Sequence, residues 1–221
     1  MSVKECVNNA PFVVALYLGK GKPNPVLSYL ADFISELNSL LCHGFVFNGE
    51  SIAVFWECLV ADTPARAFVK CVKGHCGYYS CEKCEIRGKY STKLKKVTFI
   101  PVNRAKRTGA SFISQSQSDH HTGVSPLTEL AIDLVKSVPL DYMHLVCLGV
   151  MKKLIVDFWT CTKPSKTKLH RSEKALISER LVSYRSFVPT EFARKPRSMT
   201  ECALWKATKF RNFLMYTGRP H

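Results

Sequence analysis

The chain has 221 residues, of which 46% are hydrophobic and 22% are charged, a balance typical of a folded globular protein and not of a disordered one. Its 32 Lys and Arg residues outnumber 17 Asp and Glu residues, and the net charge of +15 favours nucleic acid as a partner over an anionic membrane surface. The chain lacks both an apolar run of about 18 residues, as a membrane span needs, and a secretory signal pattern, so we expect the ten cysteines to be reduced thiols, some of them metal-bound.

The first elements in the chain predict a sheet with a helix packed on it. The apolar run 11–18 is typical of a strand buried on both faces, and apolar residues at three- and four-residue spacing over 26–41 predict an amphipathic helix. Asn48-Gly49 separates the apolar runs 44–47 and 51–61. This dipeptide predicts a hairpin because both residues tolerate positive φ.

Asp62 directly follows the last of these runs and is the first candidate catalytic residue. A carboxylate at the end of a buried strand is held rigidly while its oxygens stay exposed, so it can bind a divalent cation. The simpler interpretation is a helix N-cap, because Thr63-Pro64 is typical of a helix start and the helix can continue to about Val72.

Cys81 and Cys84 have the Cys-x-x-Cys spacing at which two thiolates share one tetrahedral Zn²⁺. The other two ligands are open, and we favour His121 or His120 together with one residue near the pair, so the predicted set adds His75 and His121. Two ordinary reduced thiols are the alternative. The candidates near the pair are Cys71, His75 and Cys76, and the distant ones are His120 and His121.

Residues 83–107 contain nine Lys and Arg residues but a single acid, Glu85, and the segment 97–100 predicts a strand. Such an uncompensated block attracts phosphate groups, and the aromatic residues in or beside it can stack on unpaired bases. A plain solvated surface is the alternative. A second basic block covers 163–197. The predicted nucleic-acid-binding residues are Lys83, Arg87, Lys89, Lys93, Lys95, Lys96, Arg104, Lys106 and Arg107.

The remainder of the chain predicts a linker followed by helices. Residues 108–125 are rich in Ser, Gly, Gln and His, a composition typical of a loop. Asp141 precedes one of the predicted helices and is either a cap or a metal ligand, and His144 is a ligand, a base or a core histidine. The segments with helical apolar spacing are 127–135, 145–159 and 202–216.

Six short motifs follow one another in a specific order along nearly the whole chain. They are Pro11–Lys20, Ala61–Arg66, Gly74–Cys84, His120–Leu127, Val138–His144 and Trp205–Thr208. In this order they resemble the transposase-derived proteins of animal genomes that are related to CACTA (En/Spm) element transposases.

The resemblance implies a ribonuclease-H-like core in which three acids bind two Mg²⁺ ions for strand cleavage and transfer. It implies that Asp62 corresponds to the second acid and that Cys81 and Cys84 belong to a Cys-x-x-Cys insertion, which supports zinc. Leu140–His144 resembles the Leu-Asp-x-Met-His signature, in which Asp141 either contacts metal or caps a helix. DNA as the partner and a nuclear location are implied as well.

Two departures from the family pattern predict that cleavage activity is lost. The family's first acid precedes the run 11–18, where this chain has only Glu5 and no matching motif. The third acid follows the Trp-Lys-Ala-Thr motif, where this chain has Lys209, a cation that would repel Mg²⁺. We therefore interpret the chain as a fragment or a decayed copy.

The predicted fold class is α/β, with a truncated ribonuclease-H-like sheet and flanking helices at 1–74. A basic, zinc-binding Cys/His insertion at 75–125 and a helical region at 126–221 follow it. The predicted function is nucleic-acid binding by a catalytically incomplete transposase. One alternative is an active Mg²⁺-dependent nuclease and strand-transferase that uses Asp62 and Asp141, and another is a zinc-stabilised structural or interaction protein.

Overall fold

The computed structural model describes three stretches of the chain, residues 12–100, 103–160 and 166–218. These stretches contain five α-helices, several short 3₁₀- and π-helical segments, and two separate two-stranded antiparallel sheets. The mixed helix and strand content of the prediction is therefore confirmed. None of the described helices is both long and apolar enough to cross a membrane.

The described residues form two compact units. The first comprises residues 12–59 and 64–138, and the second comprises 60–63 and 139–218. The predicted insertion at 75–125 thus belongs to the same unit as most of the described residues before it, and both ends of the insertion lie inside that unit.

Helix α1, Val26–His43, confirms the first helix predicted from apolar spacing. Ile34 and Leu37 are buried on one of its faces. The helix ends at Gly44, which has a φ of 64° and whose N–H donates to the Leu40 carbonyl at 2.8 Å. A glycine with positive φ is a common helix stop, because other residues are strained there.

The predicted hairpin at Asn48-Gly49 is also confirmed, but its strands are short. Strands β1, Phe45–Phe47, and β2, Glu50–Ile52, pair in antiparallel register. Asn48 and Gly49 have φ values of 50° and 82°, as a two-residue turn between twisted strands requires. The predicted strand 51–61 is wrong beyond Ile52, because 53–61 has no regular structure.

The predicted buried strand at 11–18 is wrong for the residues that the structure describes. Residue 11 lies outside the described stretches, and 12–18 form no strand and are exposed, with Leu16 88% exposed. An apolar run is buried in a sheet only where other elements cover both faces. The described strands pair only within their own hairpins, so no such sheet surrounds this segment.

Residues 108–125 are folded, so the predicted linker is wrong. Helix α3, Gly109–Ile113, begins with a capping box in which Thr108 and Ser111 accept each other's backbone N–H bonds. A later 3₁₀ turn buries His120 completely. The polar composition of this segment therefore reflects caps and turns that hold it in place.

The core of the first unit is built from turns as much as from helices. The predicted helix at 127–135 is a single 3₁₀ turn, Pro126–Glu129, followed by irregular backbone, yet most of its apolar residues are buried. The buried apolar residues of the first unit's core are Ile34, Leu37, Val72, Phe112, Leu127, Leu130, Leu134, Val135 and Val138. The other elements in this part of the chain are α2, Thr63–Val69, β3, Lys89–Ser91, β4, Lys96–Thr98, and the 3₁₀ turn Ser118–His120.

The second unit is helical. The predicted helix at 145–159 is confirmed as two π-helical segments, and the Thr160 N–H donates to the Ile155 carbonyl five residues earlier. The predicted helix at 202–216 begins as an α-helix only at Ala207. The elements are the π-helical Met143–Met151, Lys153–Trp159 and Phe213–Thr217, the α-helices α4, Arg171–Ser183, and α5, Ala207–Asn212, and the 3₁₀ segments Tyr184–Ser186 and Met199–Leu204.

Ile155 lies fully buried in the core of the second unit, and its truncation tests that core. Ile155→Ala should lower the free energy of unfolding by about 2–5 kcal/mol, because it leaves a cavity where neighbours cannot collapse. Leu154→Ala removes the same number of carbon atoms from a side chain that is 37% exposed, and it should cost clearly less. Urea denaturation followed by tryptophan fluorescence measures both. Equal losses would contradict the described packing.

Candidate nucleic-acid interface

A short antiparallel hairpin carries many of the predicted nucleic-acid-binding residues. Its strands, β3 and β4, pair with Tyr90 opposite Val97. Gly88 precedes the hairpin and packs closely against it, because a Cβ atom at this position would lie 2.5 Å from Val97. The Gly88 N–H donates to the Tyr78 carbonyl at 2.6 Å. The hairpin is therefore held against the cysteine-rich segment that precedes it.

Seven of the nine predicted side chains are exposed on this hairpin or on the segments that flank it. The sequence from 86 to 106 contains no acid, and within the described residues none of the seven forms an ion pair. Their positive charge is therefore directed to solvent without compensation. These seven residues, called the basic surface below, are Arg87, Lys89, Lys93, Lys95, Lys96, Arg104 and Lys106.

Lys83 and Arg107 point inward, which corrects the prediction that they bind phosphate. Lys83 Nζ donates to the backbone carbonyls of Val135 and Val138. Arg107 is only 4% exposed, and its Nη2 donates to Gln117 Oε1 at 2.6 Å. Burial lowers the pKa of Arg107, as is expected for a cation withdrawn from water. Both side chains hold loops of the first unit together.

The Cys-x-x-Cys turn is held by the segment that contains Arg107. Arg107 Nη2 lies 3.3 Å from the carbonyl oxygens of both Cys81 and Cys84, and Cys84 forms an isolated β-bridge with Lys106. Burial, together with the neighbouring Cys81 thiol, raises the pKa of Cys84. The two side chains are thus adjacent, the raised pKa keeps the Cys84 thiol protonated, and a cation bound to its sulfur would displace that proton.

His120 and His121 are buried, whereas His75 is exposed. His120 Nδ1 lies 2.6 Å from the Tyr79 carbonyl, so Nδ1 carries the proton and Nε2 carries the lone pair. Burial lowers the pKa of His120 to about 4, which keeps the ring neutral. Within the described stretches, the buried Nε2 atoms of both His120 and His121 have no hydrogen-bond partner.

The predicted zinc ligands do not form one group. Across residues 12–100, 103–160 and 166–218, no three His, Cys, Asp or Glu side chains are close enough together to hold a metal ion. Cys81, Cys84, His75 and His121 are therefore not assembled as a ligand set. The donors that fit zinc chemistry are the thiol pair and the two buried imidazole Nε2 atoms.

Asp62 and Asp141 both belong to the second unit and both precede a helix. Asp62 is exposed, and because 53–61 forms no strand, the prediction that it ends a buried strand is wrong.

Asp141 Oδ1 accepts the Met143 N–H at 2.9 Å, and Oδ2 accepts from His144 Nδ1. The bond to His144, followed by the backbone N–H bonds, lowers the pKa of Asp141. Asp141 thus caps its helix and orients His144.

Sequence reasoning missed a buried ionic cluster next to the cysteine pair. The Glu82 carboxylate accepts from Arg66 at 3.0 Å and from Lys70 at 2.9 Å, and none of the three side chains is more than 7% exposed. Burial alone would raise the pKa of Glu82, but the two cations hold it below its ordinary value. Burial lowers the pKa of Lys70 despite Glu82, and the neighbouring cations Lys83 and Arg66 lower it further. The sequence signal that could have predicted this cluster is the spacing of Arg66 and Lys70, two cations four residues apart in and just after an otherwise apolar helix.

Buried and exposed cations have different roles in the cysteine-rich segment and the hairpin. Arg107 and the Glu82 cluster are buried and hold the cysteine-rich segment in place, whereas the side chains of the basic surface are exposed to solvent. No protein-family model, curated protein or solved structure matches the chain.

Glu82→Gln tests the ionic cluster. The substitution should lower the free energy of unfolding by about 3–5 kcal/mol, because it leaves two buried cations without their charge partner. Glu85→Gln is the matched control, since Glu85 accepts a single exposed bond from Ser116, and it should cost about 1 kcal/mol. Urea denaturation measures both variants. A loss in E82Q no larger than the loss in E85Q would contradict the assigned role of Glu82.

Proposed function

We propose that this chain is a nucleic-acid-binding protein that derives from a CACTA-type transposase and lacks cleavage activity. The observation that carries the proposal is the basic surface, seven exposed cations in a stretch without an acid. Spaced cations of this kind bind phosphodiester oxygens, because binding releases the counterions condensed on the nucleic acid. DNA is the partner that we propose, on the strength of the resemblance.

Exposed aromatic rings beside the basic surface support contact with unpaired bases. Tyr90 on β3 is 52% exposed, and Phe99, just after β4, is 37% exposed. Arg87 lies 6.0 Å from the ring centre of Tyr78 and 5.9 Å from that of Tyr79, a cation–π arrangement that restrains the guanidinium. Stacking on such rings tolerates any base. We therefore propose binding without base-specific readout.

The three-acid centre that the resemblance implies is, we propose, incomplete in this chain. Both oxygens of Asp141 are engaged, one with Met143 and one with His144. Lys209, where the family pattern has an acid, is a cation that is only 7% exposed. The ribonuclease-H-like core and the nuclear location belong to the same proposal and rest on the resemblance. An active Mg²⁺-dependent nuclease is the competing proposal.

Triple substitution of the hairpin lysines tests binding. Lys93, Lys95 and Lys96 changed together to Gln should weaken the affinity for a labelled oligonucleotide at least tenfold at low salt. The slope of log affinity against log salt should fall by about 2–3, because each lost phosphate contact removes about 0.7–0.9. Fluorescence anisotropy with single-stranded and duplex oligonucleotides measures both quantities.

The matched control changes the same amount of charge in the second unit, at the exposed Lys152, Lys153 and Lys166. An equal loss of affinity in this control would show that net charge alone attracts DNA and would contradict the assignment to the basic surface. Plasmid nicking that needs Mg²⁺ and is abolished by Asp62→Asn would instead favour the nuclease. Absence of any salt-dependent binding would favour a structural or interaction protein.

We also propose that the cysteine-rich segment binds a structural Zn²⁺ ion, which is a second function of the same unit. The supporting observations are the adjacent Cys81 and Cys84 thiols and the buried, unpartnered Nε2 atoms of His120 and His121. A neutral imidazole whose Nδ1 donates to a carbonyl, as in His120, is the usual form of a zinc-bound histidine. His75 is exposed, so we propose His120 in its place. Zinc binding would bring the thiol pair and the two imidazoles together, because they do not form one group in the described residues.

Removal of the thiol pair tests the zinc proposal. The double variant Cys81→Ser/Cys84→Ser should lose the zinc that mass spectrometry of the purified protein detects, because hydroxyl groups are poor zinc ligands. The control Cys42→Ser/Cys58→Ser changes two exposed thiols and should retain it. A wild-type protein purified without chelator that contains no zinc would contradict the proposal.

A further inference from the structure

A second group of cations surrounds Lys209 in the second unit. Lys209 lies on α5 and is only 7% exposed. The charges that act on its ammonium group come from Arg197, Arg194 and Arg185, with Glu201 as the one acid. The charges that act on this largely buried lysine are therefore positive on balance.

The cluster is held in place by bonds between the segment after α4 and α5. Asn212 Nδ2 donates to the Arg194 carbonyl at 3.3 Å, which ties the two segments together. Glu201 Oε2 lies 3.6 Å from Arg197 Nη1, and both side chains are about half exposed. Such an exposed pair is weak, so Glu201 compensates little of the positive charge.

Lys209 and Arg197 line a narrow cleft together with Asn212 and Trp205. Trp205 is 5% exposed, and in the described part of the chain its buried Nε1–H has no hydrogen-bond acceptor. The enclosed space is about 10 Å³, which is room for about one water molecule. A larger ligand would therefore bind at the mouth of the cleft, where the charged side chains are.

An anion at the mouth of the cleft would compensate the positive charge of Lys209 and Arg197. Cations that are close together repel one another, and the repulsion is larger where burial weakens screening by water. Burial, followed by the neighbouring arginines, lowers the pKa of Lys209. A tetrahedral oxyanion at the mouth of the cleft offers negative charge to these cations.

We infer that Lys209 and Arg197 form a phosphate-binding site at the mouth of the Trp205 cleft. The group bound is a phosphate, either free or as part of a nucleic-acid strand. In its nucleic-acid form the inference rests on the proposed function, since it adds a second phosphate contact outside the basic surface. In its free-phosphate form it stands independently.

Thermal unfolding in phosphate and in chloride at equal ionic strength and pH tests the site. The wild type should show a phosphate-dependent rise in Tm that chloride does not produce. Lys209→Gln and Arg197→Gln should each weaken the apparent phosphate affinity at least tenfold, and Arg197 is exposed, so the second variant keeps the test valid if the first does not fold. Lys195→Gln, at an exposed neighbouring lysine, should leave the rise unchanged.

Competition distinguishes the two sources of phosphate. If a single-stranded oligonucleotide removes the response to inorganic phosphate, and Arg197→Gln weakens oligonucleotide binding, the site belongs to the nucleic-acid interface. If inorganic phosphate binds but the oligonucleotide does not compete, the site is specific for free phosphate, whatever the hairpin variants show. A wild type that responds equally to chloride and phosphate, or a Lys195→Gln variant that loses the response, would overturn the inference.

Discussion

One buried carboxylate links α2 and the residue that follows it to the cysteine-rich segment beside the basic surface. Glu82 accepts hydrogen bonds from Arg66 and Lys70, and all three side chains are nearly excluded from water. Because Glu82 lies between Cys81 and Cys84 in the sequence, this ionic contact also sets the position of the Cys-x-x-Cys turn. A buried ion pair gives little net stability, but it strongly disfavours any arrangement that separates its partners.

The cations of the first unit fall into two groups, buried ones that hold loops together and exposed ones that face solvent. Lys83 and Arg107 donate to backbone carbonyls in the interior, so their charge is used to hold loops that lack regular structure. The seven residues of the basic surface have no such partners among the described residues and face solvent. This division explains how a chain with a net charge of +15 can form a core and still present an exposed, strongly basic surface.

Burial also determines the environment of a cation in the second unit, where the core is apolar and helical. Trp205, Phe210 and Phe213 pack together there, and α5 carries Lys209 at the edge of that packing. Its charge is neither fully buried with a partner nor free in water. Anion binding at this position and at the basic surface would lower the self-repulsion of a strongly basic chain, which gives both proposals one electrostatic cause.

The sequence by itself determined helix α1, the Asn48-Gly49 hairpin and the long helix after Tyr142, because apolar periodicity and turn residues act over a few neighbouring positions. It also showed which stretch is basic and without acids. Only the tertiary structure decided that 12–18 is exposed, that 108–125 is folded, and that Arg107 and His120 point inward. These outcomes depend on contacts between residues far apart in the chain, since burial and charge pairing are set by what covers a side chain and not by its own sequence neighbours.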